Sequence, residues 1–243
     1  MPLGDGLLAQ ARQGRRIAAL AGVARLADQG VGGLGQGAAA ERRRDKDILQ
    51  KTSHAGIEHQ MSEPTDRQAL RALLKTRRRD WLASPAGQQA PAALLHQLQD
   101  LLQQLEPLCL GLYWALDGEF DAAALLPRQP GVQLALPYAQ REGRQMHYRR
   151  WDGRAPSLQD EMGIPSSAGA LAEPDVVLVP CLGYTGEGFR LGYGGGFFDR
   201  WLAAHPGVTA VGLAWGVGEC QFAVEPHDRP LAIVITEREL IAP

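Results

Sequence analysis

Apolar positions recur at helical spacing over Arg67–Leu82, where Leu70, Leu73, Leu74 and Trp81 form one side and Arg67, Arg71, Lys75 and Arg77–Arg79 make the rest basic. Thr65 or Asp66 stands where the N-cap of that helix belongs. A second helix is predicted over Ala92–Leu105, with Leu94, Leu95, Leu98, Leu101, Leu102 and Leu105 facing inward. Beyond it the pattern shortens. Strands are predicted at 108–114, 132–136, 145–151, 176–180, 208–215 and 231–236, and helical segments at 120–126 and 197–205. The run Val176-Val177-Leu178-Val179-Pro180 does not alternate, as expected of a strand buried on both faces. Strands alternating with helices predict an α/β fold with a single mostly parallel sheet flanked by helices in three layers. No internal repeat is present.

The chain changes character near Met61. All fifteen aromatic residues of the 243-residue sequence lie between Trp81 and Phe222, whereas residues 1–60 hold 10 of the 29 glycines and 11 alanines. A segment without aromatic side chains and rich in Gly has little to bury against the entropy of ordering it. Gly30-Val31-Gly32-Gly33-Leu34-Gly35 reads as a flexible linker, and Glu41–Asp47 as a solvated mixed-charge run. Met61-Ser62-Glu63-Pro64-Thr65-Asp66 looks like a fresh start before a helix. Residues 1–60 are therefore expected to be a disordered or non-native extension, and 61–243 the functional domain.

Charge and cysteine content narrow the classes. The sequence carries 25 Lys+Arg against 27 Asp+Glu, and from Met61 onward 16 basic against 21 acidic residues. That balance disfavours a nucleic-acid binder. No apolar run approaches the ~18 residues of a membrane span, and no secretory signal is evident. Cys109, Cys181 and Cys220 are odd in number and far apart, which reads as free thiols in a reducing cytoplasm.

The richest chemistry lies in 179–200. The chain leaves the predicted strand at 176–180, passes through glycines, and enters a helix whose apolar surface comes from Phe197, Phe198, Trp201 and Leu202. Glycines let backbone N–H groups turn toward a ligand, the following helix N-terminus adds partial positive charge, and Arg190 adds a guanidinium fork. The combination suits an anion. It is neither a Walker loop, since no GK[ST] follows, nor a dinucleotide fingerprint.

The string Arg190-Leu191-Gly192-Tyr193-Gly194-Gly195-Gly196-Phe197-Phe198-Asp199 resembles the RLGxGxGYYD motif of the 5-formyltetrahydrofolate cyclo-ligases, also called methenyltetrahydrofolate synthetases. Four further segments agree in the same order. Arg67-Gln68-Ala69-Leu70-Arg71 is similar to the family's basic-xx-Leu-Arg motif, and Tyr113–Asp121 to its YWP…GE.D segment. Gly163-Ile164-Pro165 is similar to the start of GIPEP, and His227-Asp228-Arg229-Pro230-Leu231 through Thr236-Glu237 to the closing HDxPLxxxxTE.

The resemblance implies a Rossmann-like domain that uses ATP and Mg²⁺ to convert 5-formyltetrahydrofolate to 5,10-methenyltetrahydrofolate, ADP and phosphate. It implies ATP binding by Arg67, Arg71, Arg190, Gly192, Tyr193, Gly194, Gly195, Gly196, Phe197 and Phe198. Arg190, Gly194 and Asp199 are implied to be catalytic, and Asp199 and Asp228 to bind metal. Folate contact is implied for Trp114, Glu119, Tyr193 and Phe197. The expected partners are a reduced folate and ATP, with no nucleic acid or membrane, for a cytoplasmic monomer or weak dimer.

Read without the resemblance, these residues keep plainer alternatives. Arg67 and Arg71 are also an exposed basic helix face, Asp199 a dipole partner in a first helical turn, and Asp228 a turn residue before Pro230. Glu119 is also a turn residue, and Trp114 a core residue. The sequence departs from the family pattern at Phe197-Phe198 (Tyr-Tyr), Ser166-Ser167 (Glu-Pro), Ala115 (Pro) and Arg67 (often Lys). The rival functions are a paralogue with another substrate, a nucleotide- or RNA-binding module, and a sugar-phosphate isomerase or CoA-transferase of similar architecture.

Overall fold

The computed structural model describes Gly22 and residues 66–156, 158–225 and 228–242. The expectation for residues 1–60 thus lies outside the described residues, Gly22 apart, as does His227. Helix α1, Arg67–Leu82, starts where the Asp66 carboxylate accepts from the Ala69 amide at 2.8 Å. It buries Leu70 and Leu74, and with them Arg78.

Helix α2, Pro85–Leu105, begins at Pro85 rather than Ala92. The Ser84 hydroxyl accepts from the Gly87 amide at 3.2 Å, and Pro85 takes a first-turn place where no N–H is needed. Gly87 is required for the corner: a Cβ there would sit 2.2 Å from the Trp81 carbonyl oxygen of α1. The predicted leucine stripe is confirmed, with Leu94, Leu98, Leu101, Leu102 and Leu105 buried.

Strand β1, Cys109–Gly111, is followed by the one-turn helix α3, Ala122–Leu125, and by β2, Gln133–Ala139, and β3, Met146–Trp151. Short strands β4 (Leu158–Gln159), β5 (Pro165–Ser166) and β6 (Leu171–Ala172) precede β7, Val176–Pro180. A hairpin of β8 (Gly183–Tyr184) and β9 (Arg190–Leu191) leads to helix α4, Phe197–Ala204. Strands β10 (Thr209–Leu213), β11 (Ile233–Ile235) and β12 (Leu240–Ile241) complete the chain.

Eight strands form the main sheet in the order β12-β11-β10-β7-β1-β2-β3-β6. The five central strands, β11 to β2, pair in parallel, and the outer pairs are antiparallel. Both faces are covered. Val176 and Leu178 join α2 in one core, whereas Val177 and Val179 join Trp201 of α4 in the other. That is the period-two pattern of a strand buried on both sides, and it makes the three-layer α/β fold expected. Helix α1 packs separately, with Leu70 and Leu74 against Leu182, Leu191 and Cys220.

The order of connection reverses between β1 and β7. From β1 the chain proceeds outward through β2, and from β7 it proceeds the other way through β10. Ligands collect beyond the carboxyl ends of strands at such a switch point. Among the described residues no helix is long and apolar enough to cross a membrane, and the three cysteines are free.

Candidate active site

A cleft of about 750 Å³ opens at this switch point. Its floor comes from the ends of three parallel strands: Tyr113 and Trp114 after β1, Pro137 and Ala139 of β2, and Pro180 of β7. Every residue singled out in the sequence lines it. Arg67 and Arg71 enter from α1, Glu119 from the turn after β1, Arg190 from β9, Gly192–Gly196 from the loop, Phe197, Phe198 and Asp199 from α4, and Asp228 from the segment before β11.

The β8–β9 hairpin explains how Arg190 reaches the cleft. Gly183 pairs with Leu191 and Tyr184 with Arg190, which folds the chain back onto the end of β7. Arg190 Nη1 then lies 3.5 Å from the Pro180 carbonyl, and Nη2 donates to Asp199 Oδ1 at 2.7 Å. The Arg190 side chain is only 6% exposed, so its charge is held by this partner rather than by water. Its guanidinium also lies over the Phe198 ring, 5.6 Å from the centroid.

The loop between β9 and α4 needs its glycines. Gly194 (φ 93°) and Gly196 (φ 65°), the latter the N-cap of α4, hold left-handed conformations that L side chains rarely adopt. Two guanidinium groups hold loop carbonyls: Arg71 Nε donates to Gly192 O at 2.8 Å, and Arg200 Nη2 to Gly195 O at 2.6 Å. With those oxygens engaged, the amides of the same loop and the uncapped start of α4 form an anion-binding concavity.

Arg67 pairs with Asp228 through both terminal nitrogens, and its Nε lies 3.3 Å from Glu225 Oε1. The hydrogen bond to Asp228 is the main reason its pKa is raised further. Asp228 Oδ2 also accepts from the Glu225 amide at 2.8 Å, so the turn role and the charged role coexist in one residue.

Across the cleft, the Asp117-Gly118 turn holds Glu119. Both turn residues have positive φ, and Glu119 Oε2 accepts from the Leu116 amide at 2.8 Å. The Tyr193 hydroxyl hydrogen-bonds to Glu119 and accepts from Arg78 Nη1 at 2.7 Å. Burial is the largest influence on Glu119 and pushes its carboxyl above the usual range. The Tyr193 hydroxyl, the Leu116 amide and the Arg78 charge pull the other way. Trp114 serves both readings, since it lines the cleft and meets Trp151 edge-on at 6.4 Å in the core.

Two lining residues, Asp160 and Met162, were not singled out in the sequence. Asp160, 8% exposed, accepts from the Met162 and Ile164 amides at Oδ1 and from the Ala139 amide at Oδ2. It thereby shapes a turn whose Met162 and Ile164 make an apolar wall. Asp-x-x-x-Ile around a Gly is the pattern of a side chain bonding its own following backbone, and it was the available clue. Ser166 is fully buried and donates to the Pro137 carbonyl at 2.7 Å, so the departure from Glu-Pro ties the wall to β2. At the other departure, the Arg200 guanidinium lies 5.7 Å from the Phe197 ring centroid.

Carboxylate oxygen is the right donor for Mg²⁺. Among the described residues no group of three or more His, Cys, Asp or Glu stands together to hold a metal. An ion here would therefore depend on ligand oxygens plus one or two carboxylates, as Mg²⁺ with nucleotides usually does. Asp199 fits that role, since it lines the cleft and receives Arg190 through Oδ1.

Fold and site together define an α/β protein with a switch-point cleft lined by arginines, a glycine loop and the Glu119 carboxylate. The chain belongs to the 5-formyltetrahydrofolate cyclo-ligase family, whose model matches residues 63–237. A 5-formyltetrahydrofolate cyclo-ligase of Haemophilus influenzae is 27% identical over 169 residues, covering 64% of this chain and 87% of the relative. Two 5,10-methenyltetrahydrofolate synthetases share the fold. The Mycoplasma pneumoniae structure has a TM-score of 0.55 at 17% identity, covering 70% of this chain and 98% of the other. The Aquifex aeolicus structure has a TM-score of 0.56 at 23% identity, covering 71% and 92%.

Proposed function

We propose that the protein closes 5-formyltetrahydrofolate to 5,10-methenyltetrahydrofolate at the expense of ATP, which leaves as ADP and phosphate. The observation that carries this is the convergence in one cleft of two chemistries, an arginine-lined glycine loop for phosphates and a half-buried carboxylate for a heterocycle with adjacent N–H donors.

The formyl oxygen attacks the γ-phosphorus, forming an O–P bond as the bond to ADP breaks. N10 then attacks the formyl carbon, the C–O bond breaks to release phosphate, and N10 loses its proton. Arg67, Arg71, Arg190 and the amides of Gly192–Gly196 bind and orient the phosphates, so that catalysis rests on positioning and charge stabilisation. Glu119 accepts from the pterin N–H groups, and Trp114 and Phe197 flank the ring. A bound Mg²⁺ would neutralise phosphate charge, with Asp199 as its protein ligand. Asp228 is its second candidate ligand and, in the absence of nucleotide, the partner of Arg67.

The reading places the enzyme in the cytoplasm as a monomer or weak dimer, with a reduced folate and ATP as its ligands. The direct test mixes protein, Mg-ATP and 5-formyltetrahydrofolate and follows methenyltetrahydrofolate absorbance. Absorbance that grows only with all three present supports the reading, and none at any protein concentration rejects it. Residues 1–60 lie outside the family match, so a chain beginning at Met61 is expected to keep turnover and melting temperature. A large drop in either would assign residues 1–60 to the working domain.

A further inference from the structure

The buried face of α1 carries a cation. Arg78 is 4% exposed, on the same side as Leu70 and Leu74. A guanidinium withdrawn from water costs free energy unless its charge and donors are met. Arg78 Nη1 donates to the Tyr193 hydroxyl at 2.7 Å, and its guanidinium carbon lies 5.8 Å from the Tyr193 ring centroid. Tyr193 in turn hydrogen-bonds to Glu119. Tyr193 is 38% exposed as a residue, while its hydroxyl reaches the buried Arg78 guanidinium. Arg78 does not line the cleft, whereas Tyr193 and Glu119 both do.

We infer that Arg78 is a positioning residue for the folate half of the site, acting through the Tyr193 hydroxyl to hold Glu119 in place. This rests on the folate assignment of Glu119 under the proposed function. The geometry supports a relay with one direction. Arg78 has only donors, the Tyr193 oxygen accepts from it and donates onward, and the Glu119 carboxylate only accepts. The Tyr193 O–H is thereby committed to the carboxylate, and a carboxylate held by one O–H and one amide keeps its remaining lone pairs in a fixed direction. Arg78 also ties the glycine loop, through Tyr193, to the helix that carries Arg67 and Arg71.

Other groups acting on Glu119 frame the pH behaviour. Asp117 lies on its own turn, Tyr113 follows β1, Cys181 follows β7, and Tyr193 comes from the loop. The Asp117 charge and burial favour the protonated form, against Arg78, the Tyr193 hydroxyl and the Leu116 amide. Arg78 is a cation whose charge favours the ionised form of Glu119. Deleting it raises the Glu119 pKa.

The test uses Arg78→Met, Arg78→Lys and Tyr193→Phe in the full chain. The carboxyl of Glu119 is followed by carbon-13 NMR in glutamate-labelled protein, assigned by the signal lost in Glu119→Gln. Arg78→Met is expected to move the Glu119 midpoint upward by roughly one pH unit, as loss of a nearby opposite charge does. Arg78→Lys is expected to restore most of it, and Tyr193→Phe to move it part of the way. In turnover, KM for the folate is expected to rise by about tenfold in Arg78→Met, with KM for ATP unchanged and the acid limb displaced by the same amount as the NMR midpoint. An unmoved midpoint in Arg78→Met, or equal rises in both KM values, would overturn the inference. Should Arg78→Met fail to fold, the midpoint of Tyr193→Phe decides by the same criterion. Failure of the wild type to turn over the folate would reject the function proposed above, while the NMR midpoint would still judge the role of Arg78.

Discussion

Asp199→Asn is expected to lower Mg-dependent turnover by about a hundredfold or more, the scale on which loss of one charge-stabilising group in a phosphoryl-transfer site is felt. Asp199 lies in the first turn of α4, whose N-terminus borders the glycine loop. A carboxylate there opposes incoming phosphates unless a cation stands between them, which is why a purely electrostatic reading favours a metal at this side chain. The same carboxylate also holds Arg190, whose side chain is 6% exposed. The two roles separate by measurement. Asn keeps an oxygen for Arg190 Nη2 but no charge, so the fold is expected to lose on the order of 1–3 kcal/mol as the buried guanidinium loses its counter-ion. A moderate fall in melting temperature together with collapsed turnover, not rescued by raising Mg²⁺, is the expected pair of results. Normal Mg-dependent turnover with only the stability loss would leave Asp199 as the partner of Arg190 and nothing more.

The ligand-free pairing bears on how the site works. Arg190 is paired with Asp199 and Arg67 with Asp228, so two of the three arginines proposed for phosphate are matched with the two carboxylates proposed for metal, while Arg71 holds the Gly192 carbonyl. Buried or half-buried charges cannot wait unpaired. Each pair compensates its charges within the site.

Strand β7 was legible because both of its faces are buried, leaving no polar residue to blur the pattern of Val176–Pro180. Helix α1 was legible from its Asp66 cap and its leucines. The start of α2 was not, because Pro85, Gly87 and Pro91 read as breakers. They are tolerated because the Ser84 cap and first-turn Pro85 need no further donors and Gly87 admits the α1 backbone. The short strands β4, β5, β6, β8 and β9 escaped because two-residue pairings leave no periodicity to detect.

In the site, charged residues on a glycine loop announce themselves, whereas contacts made through a third residue do not. Arg77-Arg78-Arg79 is one basic run in the sequence. Only the helical spacing Leu70, Leu74, Arg78 marks the middle arginine as the inward one. The Asp160 turn was silent for a related reason, since its three acceptor contacts are all to backbone amides.

Glu119→Gln is expected to raise KM for the folate by roughly 10- to 200-fold, corresponding to about 1.5–3 kcal/mol for hydrogen bonds to a charged acceptor. The amide still fits the turn, but its single oxygen cannot serve the Leu116 amide, the Tyr193 hydroxyl and two adjacent N–H donors at once, and its NH₂ clashes with a donor. The pH dependence tests the same residue independently. Burial raises the Glu119 pKa, so with falling pH the carboxylate protonates before an ordinary glutamate would. With Glu119 in its proposed folate role, affinity is expected to fall as pH falls through this raised value, which puts the acid limb of kcat/KM above that of an ordinary glutamate. The linkage to folding has the opposite sign. A carboxyl whose folded pKa is raised holds its proton more tightly folded than unfolded, so at this position acidification favours the fold while it weakens substrate binding. Wild type should therefore lose folate binding in mild acid before it loses structure. The Glu119→Gln enzyme should show a weakened but pH-flat folate affinity over the same interval. An acid limb in the glutamine variant identical to that of the wild type would assign that titration to another group and remove Glu119 from the folate site.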